Sequence, residues 1–408
     1  MSAARFHLDM RCAMKFDFET MPLRTDASLK ERITDMEVKK AGYVSFGPAE
    51  LDYATAPSVI ESIEHMVKNG LYGFTLESKR YLDSVKWWMK SARNWDIDTK
   101  WIVPVRGTIH AVATAIRMTT APGEGIIVMS PGYNRYGQAA HRLHRVVSVS
   151  KMKCSGMYYE PDFADLECRM ADGNNRLLVL CNPNNPTGRV WRMDELCEIA
   201  RLSNKYGVYV ISDEIFAEIT FGNHKTIPYS SIDIGRRNAI VITSLGKTFN
   251  FTGVNHANCI IPDSTLRENY ISQRDADHYG SLEPFAEAAI LGAYTQDGLD
   301  WVNAMKSYVS GNANLVQEFF SAHPNYGMVS PVEGTYVAWI RWADFIGEEP
   351  AKFLLERALV QLEPGDDYGP NLNRYTRMNL GAQHGQTRAA LERTNEAIKA
   401  VLEVRNAG

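Results

Sequence analysis

Through the middle of the chain, short apolar runs rich in β-branched residues alternate with longer stretches of helical spacing. The runs are GIIVMS at 125–130, RLLVLC at 176–181, VYVISDE at 208–214 and AIVITS at 239–244. Apolar runs this short, bounded by turn residues, read as buried strands. Between two of them, MDELCEIARLSNKYG at 193–207 sets Leu196, Ile199, Ala200 and Leu202 at helical spacing and stops at Gly207, the pattern of a crossover helix. The alternation predicts an α/β domain with a mostly parallel central sheet flanked by helices. After about residue 285 the texture changes. LEPFAEAAILGAYTQ and WVNAMKSYVSGNANLVQEFF read as helices, TYVAWIRW as a strand and RAALERTNEAIKAVLEV as a closing helix. That succession predicts a smaller α+β C-terminal domain.

Composition narrows the function classes. A chain of 408 residues with 45% hydrophobic and 23% charged residues is that of an ordinary globular protein with a sizeable core. With 44 Lys and Arg against 48 Asp and Glu, it carries no basic field for a phosphate backbone, so nucleic acid is not expected as a partner. The six cysteines, Cys12, Cys154, Cys168, Cys181, Cys197 and Cys259, are scattered and form neither CxxC pairs nor Cys/His clusters. They are expected to be reduced thiols, with no metal site. Neither a signal-peptide core nor an apolar run of membrane-spanning length occurs, which predicts a cytoplasmic protein without a membrane partner.

In open α/β sheets ligands bind at the carboxyl ends of the strands, and polar residues cluster there. VITSLGKTFN ends a strand at Ser244 and Lys247. Gly246, Lys247 and Thr248 spell the GKT of a nucleotide-binding P-loop, but that motif needs glycine five residues before Gly246, where Val241 stands. What remains, beyond a surface charge, is a Schiff-base lysine made reactive by a desolvated pocket. Asp213 ends another strand; taken alone it reads as a helix cap. Beside such a lysine, its carboxylate would suit the ring nitrogen of pyridoxal phosphate. NPNNPTG, which holds Asn185, is a turn that also packs two asparagines and two prolines into one strand end. Gly107 and Thr108 open a predicted helix, whose free N–H groups suit a phosphate. Tyr133 follows a strand, where its ring could stack on a flat cofactor.

In their order along the chain, Gly107-Thr108, Tyr133, the NPTG of 185–188, the SDE of 212–214 and the S-x-x-K of 244–247 resemble the fold type I pyridoxal-phosphate (PLP) enzymes, the class I/II aminotransferase superfamily. Within it the chain looks most like the cystathionine β-lyase-like, carbon-sulfur lyase branch, through LDYATAP at 51–57, YGFT at 72–75 and KTFNFTG at 247–253. The resemblance implies an N-terminal segment at 1–50 packing with the small domain, a large PLP-binding domain at 51–285 and a small domain at 286–408. It implies that Lys247 carries the cofactor, Asp213 pairs with its ring nitrogen, Asn185 contacts the ring hydroxyl and Tyr133 stacks on the ring. Ser244 and the amides of Thr108 and Ile109 would cradle the phosphate. RYTRMNL matches the segment whose arginine binds the substrate α-carboxylate, which points to Arg377 rather than Arg374. A homodimer is implied as well, with active sites at the interface.

Four positions depart from the superfamily pattern. Phe216 stands where many relatives have tyrosine or histidine, and Phe74 where YGFT usually has a tyrosine that reaches the phosphate across the dimer. Asn255 takes the place of a phosphate-binding arginine. Gly47, two residues before Ala49 in FGPAELDY, replaces a tryptophan of the substrate pocket, so both are expected to border a site for a larger substrate. Three activities are open at this point: elimination or replacement at a carbon-sulfur bond, β or γ, including γ-elimination of a bulky sulfonium amino acid such as S-adenosylmethionine in specialised biosynthesis; transamination; or a non-catalytic regulator or binding module on the same fold.

Overall fold

A computed structural model describes residues 16–31, 42–278, 280 and 282–407. Seven strands form the central sheet: β1 (Ile102–Val105), β2 (Gly125–Ser130), β3 (Val146–Lys151), β4 (Asn175–Cys181), β5 (Tyr209–Asp213), β6 (Ala239–Thr243) and β7 (Ala257–Ile260). Their order is β1-β7-β6-β5-β4-β2-β3. Only β7 runs against its neighbours, β1 and β6, and the other four pairings are parallel. The sheet is therefore mostly parallel, as the alternation of runs predicts. Its strands are apolar on both faces because helices cover both. Leu178, Leu180, Val210 and Val241 face one apolar cluster, while Leu177, Val179, Ile211, Ile240 and Ile242 face the other.

Three strands carry no strong sequence signal. β1 contains Pro104, tolerated because β1 is an edge strand. β3, at the opposite edge, is half exposed, and β7 has only four residues.

Five helices matter for the site's frame: α1 (Pro57–Asn69), α2 (Thr108–Thr119), α3 (Met193–Tyr206), α4 (Pro284–Ala293) and α5 (Gln296–Ala322). The crossover helix α3 buries Leu196, Ile199, Ala200 and Leu202 and ends at Gly207 with φ 67°, a left-handed cap that glycine adopts without strain. Glu195 accepts from the Arg192 amide at 2.7 Å and so satisfies the helix start.

The C-terminal part is a four-stranded antiparallel sheet of β8 (Gly327–Val329), β9 (Val337–Trp342), β10 (Glu363–Pro364) and β11 (Tyr375–Asn379), in the order β8-β9-β11-β10. Helix α5 packs on β8, and α6 (His384–Ala407) packs on α5. The expected division at 285 falls at the start of α4. That helix packs on α1 so closely that a Cβ at Gly292 would overlap the Ser58 carbonyl, so it belongs with the large body. The long helix α5 that follows contacts α1 and α4 as well as β8 and α6.

Of the N-terminal segment, Val44–Ser45 pairs in parallel with Val360–Gln361, and the Asn379 amide donates to Phe46 O at 2.8 Å. These contacts join residues 44–46 to the small sheet. Positions 1–15 and 32–41, Cys12 among them, lie outside the described residues. Among the described residues no helix is long and apolar enough to cross a membrane.

Candidate active site

The carboxyl ends of β4, β5 and β6 open into a cavity of about 880 Å³. Its wall takes residues from both bodies, including Gly107, Thr108, Ile109, Tyr133, Asn185, Asp213, Phe216, Ser244, Lys247 and Arg377. Two expected site residues are not on it. Gly47 lies behind the wall residue Arg377, which donates to its carbonyl, and Phe74 is fully exposed elsewhere on this chain, 104% accessible.

Lys247 sits in a one-turn helix, Leu245–Thr248, that follows β6. Ser244 fixes that turn: its hydroxyl donates to His256 O at 2.8 Å and accepts from the Gly246 amide at 3.1 Å. The Lys247 side chain is half-buried and its ammonium end is enclosed, donating to Ala49 O at 2.7 Å and lying 5.7 Å from the Phe216 ring. Burial, and then the Arg377 guanidinium, bring the amine down to about 8. Glu50 and Asp213 oppose that fall. The nucleophilic neutral amine is thus far more accessible than on a surface lysine.

Asp213 ends β5 and is buried. Burial pushes its carboxyl up to about 6, while the Tyr136 hydroxyl, donating at 2.5 Å, and the Ile215 amide at 3.2 Å hold it back. It faces the cavity largely as an anion at neutral pH. Sequence reasoning missed Tyr136. The available signal was its spacing, three residues after Tyr133 at the start of the helix Arg135–Arg142; the two rings pack edge to face at 5.4 Å.

Arg377, on β11, is buried where the two bodies meet. It donates to Asn185 Oδ1 at 3.2 Å and to Gly47 O at 2.8 Å, and pairs with Glu363 at 3.3 Å. Its Nε is buried without a hydrogen-bond partner, a donor left for a ligand such as a carboxylate. Arg374 instead lies on the surface with Asp344 and Glu348. Asn185, 5% exposed, commits its carbonyl oxygen to Arg377. The turn that carries it is held by Asn184, whose Oδ1 accepts from the Thr187 hydroxyl at 2.7 Å.

At the other end of the cavity, Gly107 precedes α2 with φ 91°, and a Cβ there would stand 3.9 Å from Asn255 Cα and Oδ1. The Thr108 and Ile109 amides therefore open α2 beside Asn255, a helix start whose free N–H groups suit an anion, with no arginine at position 255. Phe216 is buried edge-on against Tyr336 at 5.1 Å and offers no hydrogen-bond donor.

Beneath the site lies a buried ionic network. Arg93 donates to Glu218 at 2.7 Å and pairs with Glu214 at 3.3 Å, and Thr248, next to Lys247, donates to Glu218 at 2.9 Å.

The family model for aminotransferases of class I and II matches residues 42–394. The chain belongs to that family. Class I and II relatives of similar length include a cystathionine β-lyase, PatB of Bacillus subtilis, 28% identical over 354 residues that make up 86% of this chain and 91% of that protein. Protein MalY of Escherichia coli is 29% identical over 366 residues, 88% and 93% of the two chains. Cystalysin from Treponema denticola, whose crystal structure contains pyridoxal 5'-phosphate, superposes with a TM-score of 0.89 at 28% identity, covering 95% of this chain and 99% of its own. The protein is an enzyme that uses pyridoxal 5'-phosphate.

The residues present fit that group. Asp213 offers a buried carboxylate for the ring nitrogen, Lys247 an amine of lowered basicity for the aldehyde, and Gly107 a cradle with no Cβ before the helix start that suits the phosphate. Two of the four departures sit on the same wall: Asn255 and Phe216 offer neither a charge nor, in the phenylalanine, a donor.

Proposed function

We propose that the enzyme breaks a carbon-sulfur bond of an amino-acid substrate by elimination or replacement. The observation that carries amino-acid chemistry is the convergence of Lys247, Asp213 and the unspent Nε of Arg377 on one cavity. Likeness to PatB across nine-tenths of both chains supports the carbon-sulfur bond as the one broken.

In this reading Arg377 binds the α-carboxylate, which places the substrate Cα–H before Lys247. The cofactor, when bound, supplies an electron sink for the charge left at Cα. Asp213 keeps the ring nitrogen protonated. Lys247 removes the Cα proton as a neutral amine and returns a proton to the departing sulfur, so the thiol leaves as the Cα–H and carbon-sulfur bonds break. Hydrolysis of the unsaturated remainder gives an oxo acid and ammonia.

The finer proposal is a bulky substrate, including γ-elimination of a sulfonium amino acid such as S-adenosylmethionine in specialised biosynthesis. It is supported by the size of the cavity and by Gly47, where an added Cβ would meet only the Glu363 and Gln361 side chains, at 3.6 and 3.8 Å. A second reading, transamination, is favoured by likeness to an aspartate aminotransferase of Pyrococcus horikoshii, 23% identical over 91% of this chain.

We also propose a cytoplasmic homodimer. Supporting the dimer, Leu71, Tyr72, Phe74 and Leu76 are exposed together, with Tyr72 stacked on Phe285 at 5.7 Å. A sedimentation mass of one chain would refute it.

The test is the absorbance of protein with PLP before and after adding cysteine, cystathionine, S-adenosylmethionine or common amino acids, beside Lys247→Ala. A lysine-dependent visible band, with oxo acid and free thiol or thioether formed without an amino acceptor, supports elimination. Conversion to a pyridoxamine-type spectrum supports transamination instead.

A further inference from the structure

Glu363 stands beside the arginine assigned to the substrate α-carboxylate, and one half of its carboxylate is spent. Oε2 accepts from the Tyr368 hydroxyl at 2.8 Å and pairs with Arg377 at 3.3 Å. Oε1 faces the room left by Gly47: a Cβ there would lie 3.6 Å from Glu363 Cγ and 3.8 Å from Oε1. The side chain is 29% exposed and lines the cavity, so Oε1 is open to whatever occupies it. Asp367 borders the same cavity, and its carboxyl is held above the ordinary range by burial first and then by the charge of Glu363. Among the cavity's cations, Arg106 is committed to Glu283 and Arg377 to the contacts described above, while Arg135, whose charge reaches Asp367, and Arg142 line the same cavity.

Where lyase-like relatives are expected to carry an aromatic wall, this enzyme therefore presents an anion next to the carboxylate-binding arginine. We propose that Glu363 is a specificity-determining residue that selects substrates bearing a positive charge at or beyond the sulfur. An ammonium or sulfonium there gains the charge of Oε1, an uncharged alkyl group gains nothing, and a second carboxylate is repelled. Arg377, already faced by Glu363, remains the reader of the α-carboxylate common to all substrates. This deepens the carbon-sulfur reading and rests on it for the choice of probes.

The test uses the PLP-loaded enzyme with three probes that share a thioether: S-(2-aminoethyl)-L-cysteine, S-propyl-L-cysteine and S-carboxymethyl-L-cysteine. Binding is read from the saturable change in cofactor absorbance, and thiol release is followed separately. The wild type should bind the aminoethyl compound up to roughly fivefold more tightly than the propyl one, the ratio expected of a partly exposed ion pair, and the carboxymethyl compound least. In Glu363→Gln, which keeps an acceptor for Tyr368, the ratio of aminoethyl to propyl affinity should collapse towards one. An order unchanged by the substitution would overturn the proposal, as would a wild-type preference for the carboxymethyl probe. Loss of propyl binding in the variant would overturn it too, since Glu363 would then act through Arg377. Because binding is read whether or not thiol appears, absence of thiol with all three probes counts against the carbon-sulfur reading alone.

Discussion

Replacing Arg93 by methionine should cost the folded protein roughly 3–5 kcal/mol at about pH 8 and much less at about pH 5, because one buried cation there serves two buried carboxylates. Its Nε donates to Glu218 Oε1 at 2.7 Å, Nη1 to Glu214 Oε2 at 3.3 Å, and Nη2 to Thr243 Oγ1 at 2.8 Å and Glu214 O at 3.1 Å. Neutral donors complete the set: Trp88 Nε1 and the Thr248 hydroxyl on Glu218, Ser212 and the Tyr229 amide on Glu214. Burial already drives Glu214 up to about 7 with Arg93 present; at Glu218 burial also pushes upward, but Arg93 together with the Trp88 and Thr248 donors holds it below its ordinary value. Without the guanidinium, both carboxyls would bind protons more tightly folded than unfolded. A carboxyl raised in this way imposes no penalty below its unfolded value, near 4.3, and a growing one as pH rises towards its folded value. The deficit of Arg93→Met relative to wild type should therefore widen from about pH 5 to about pH 8. Urea unfolding of the apoprotein, followed by tryptophan fluorescence to which Trp88 contributes, measures it at each pH. A deficit below about 1 kcal/mol at pH 8, or one equal at both pH values, would refute the reasoning, since surface pairs cost no more than that.

Tyr136→Phe removes a charge-assisted donor from Asp213, an interaction of about 1.5–3 kcal/mol, so the acid limb of PLP affinity should move up by roughly one to two pH units from its start near 6. An unmoved limb in a pH series of dissociation constants would count against that bond. Lys247 in the apoprotein should react with small aldehydes as its neutral form appears on raising pH through about 8, and site-resolved mass spectrometry showing a midpoint near 10 would contradict its burial. Asn255→Arg should add a cation beside Gly107 and tighten PLP binding about tenfold or more, and an unchanged dissociation constant would move the phosphate away from the start of α2.

The chain's local pattern determines much of this enzyme. The apolar runs set β2, β4, β5 and β6, because strands buried on both faces must be apolar throughout. The spacing of Leu196, Ile199, Ala200 and Leu202 sets the crossover helix between two of them. Gly107, Asn185, Asp213 and Lys247 were legible for a related reason: each lies within a few residues of a strand's carboxyl end, where a parallel sheet gathers its ligands whatever the long-range packing. The edge strands β1 and β3 were not legible, since partial exposure and Pro104 dilute the pattern. Nor was the packing of α4 on α1, where the close approach at Gly292 leaves no room for a side chain.

Tertiary structure alone decided which partners complete the site. Tyr136 meets Asp213 from 77 residues away, and Arg377 meets Asn185 and Gly47 from 192 and 330. Glu363 faces the space at Gly47 because Val44–Ser45 of the N-terminal segment pairs with Val360–Gln361, just before β10. Such contacts leave no periodic mark on the sequence. They are selected by the packing of the whole chain, which fixes where a charge is buried and what is left to neutralise it.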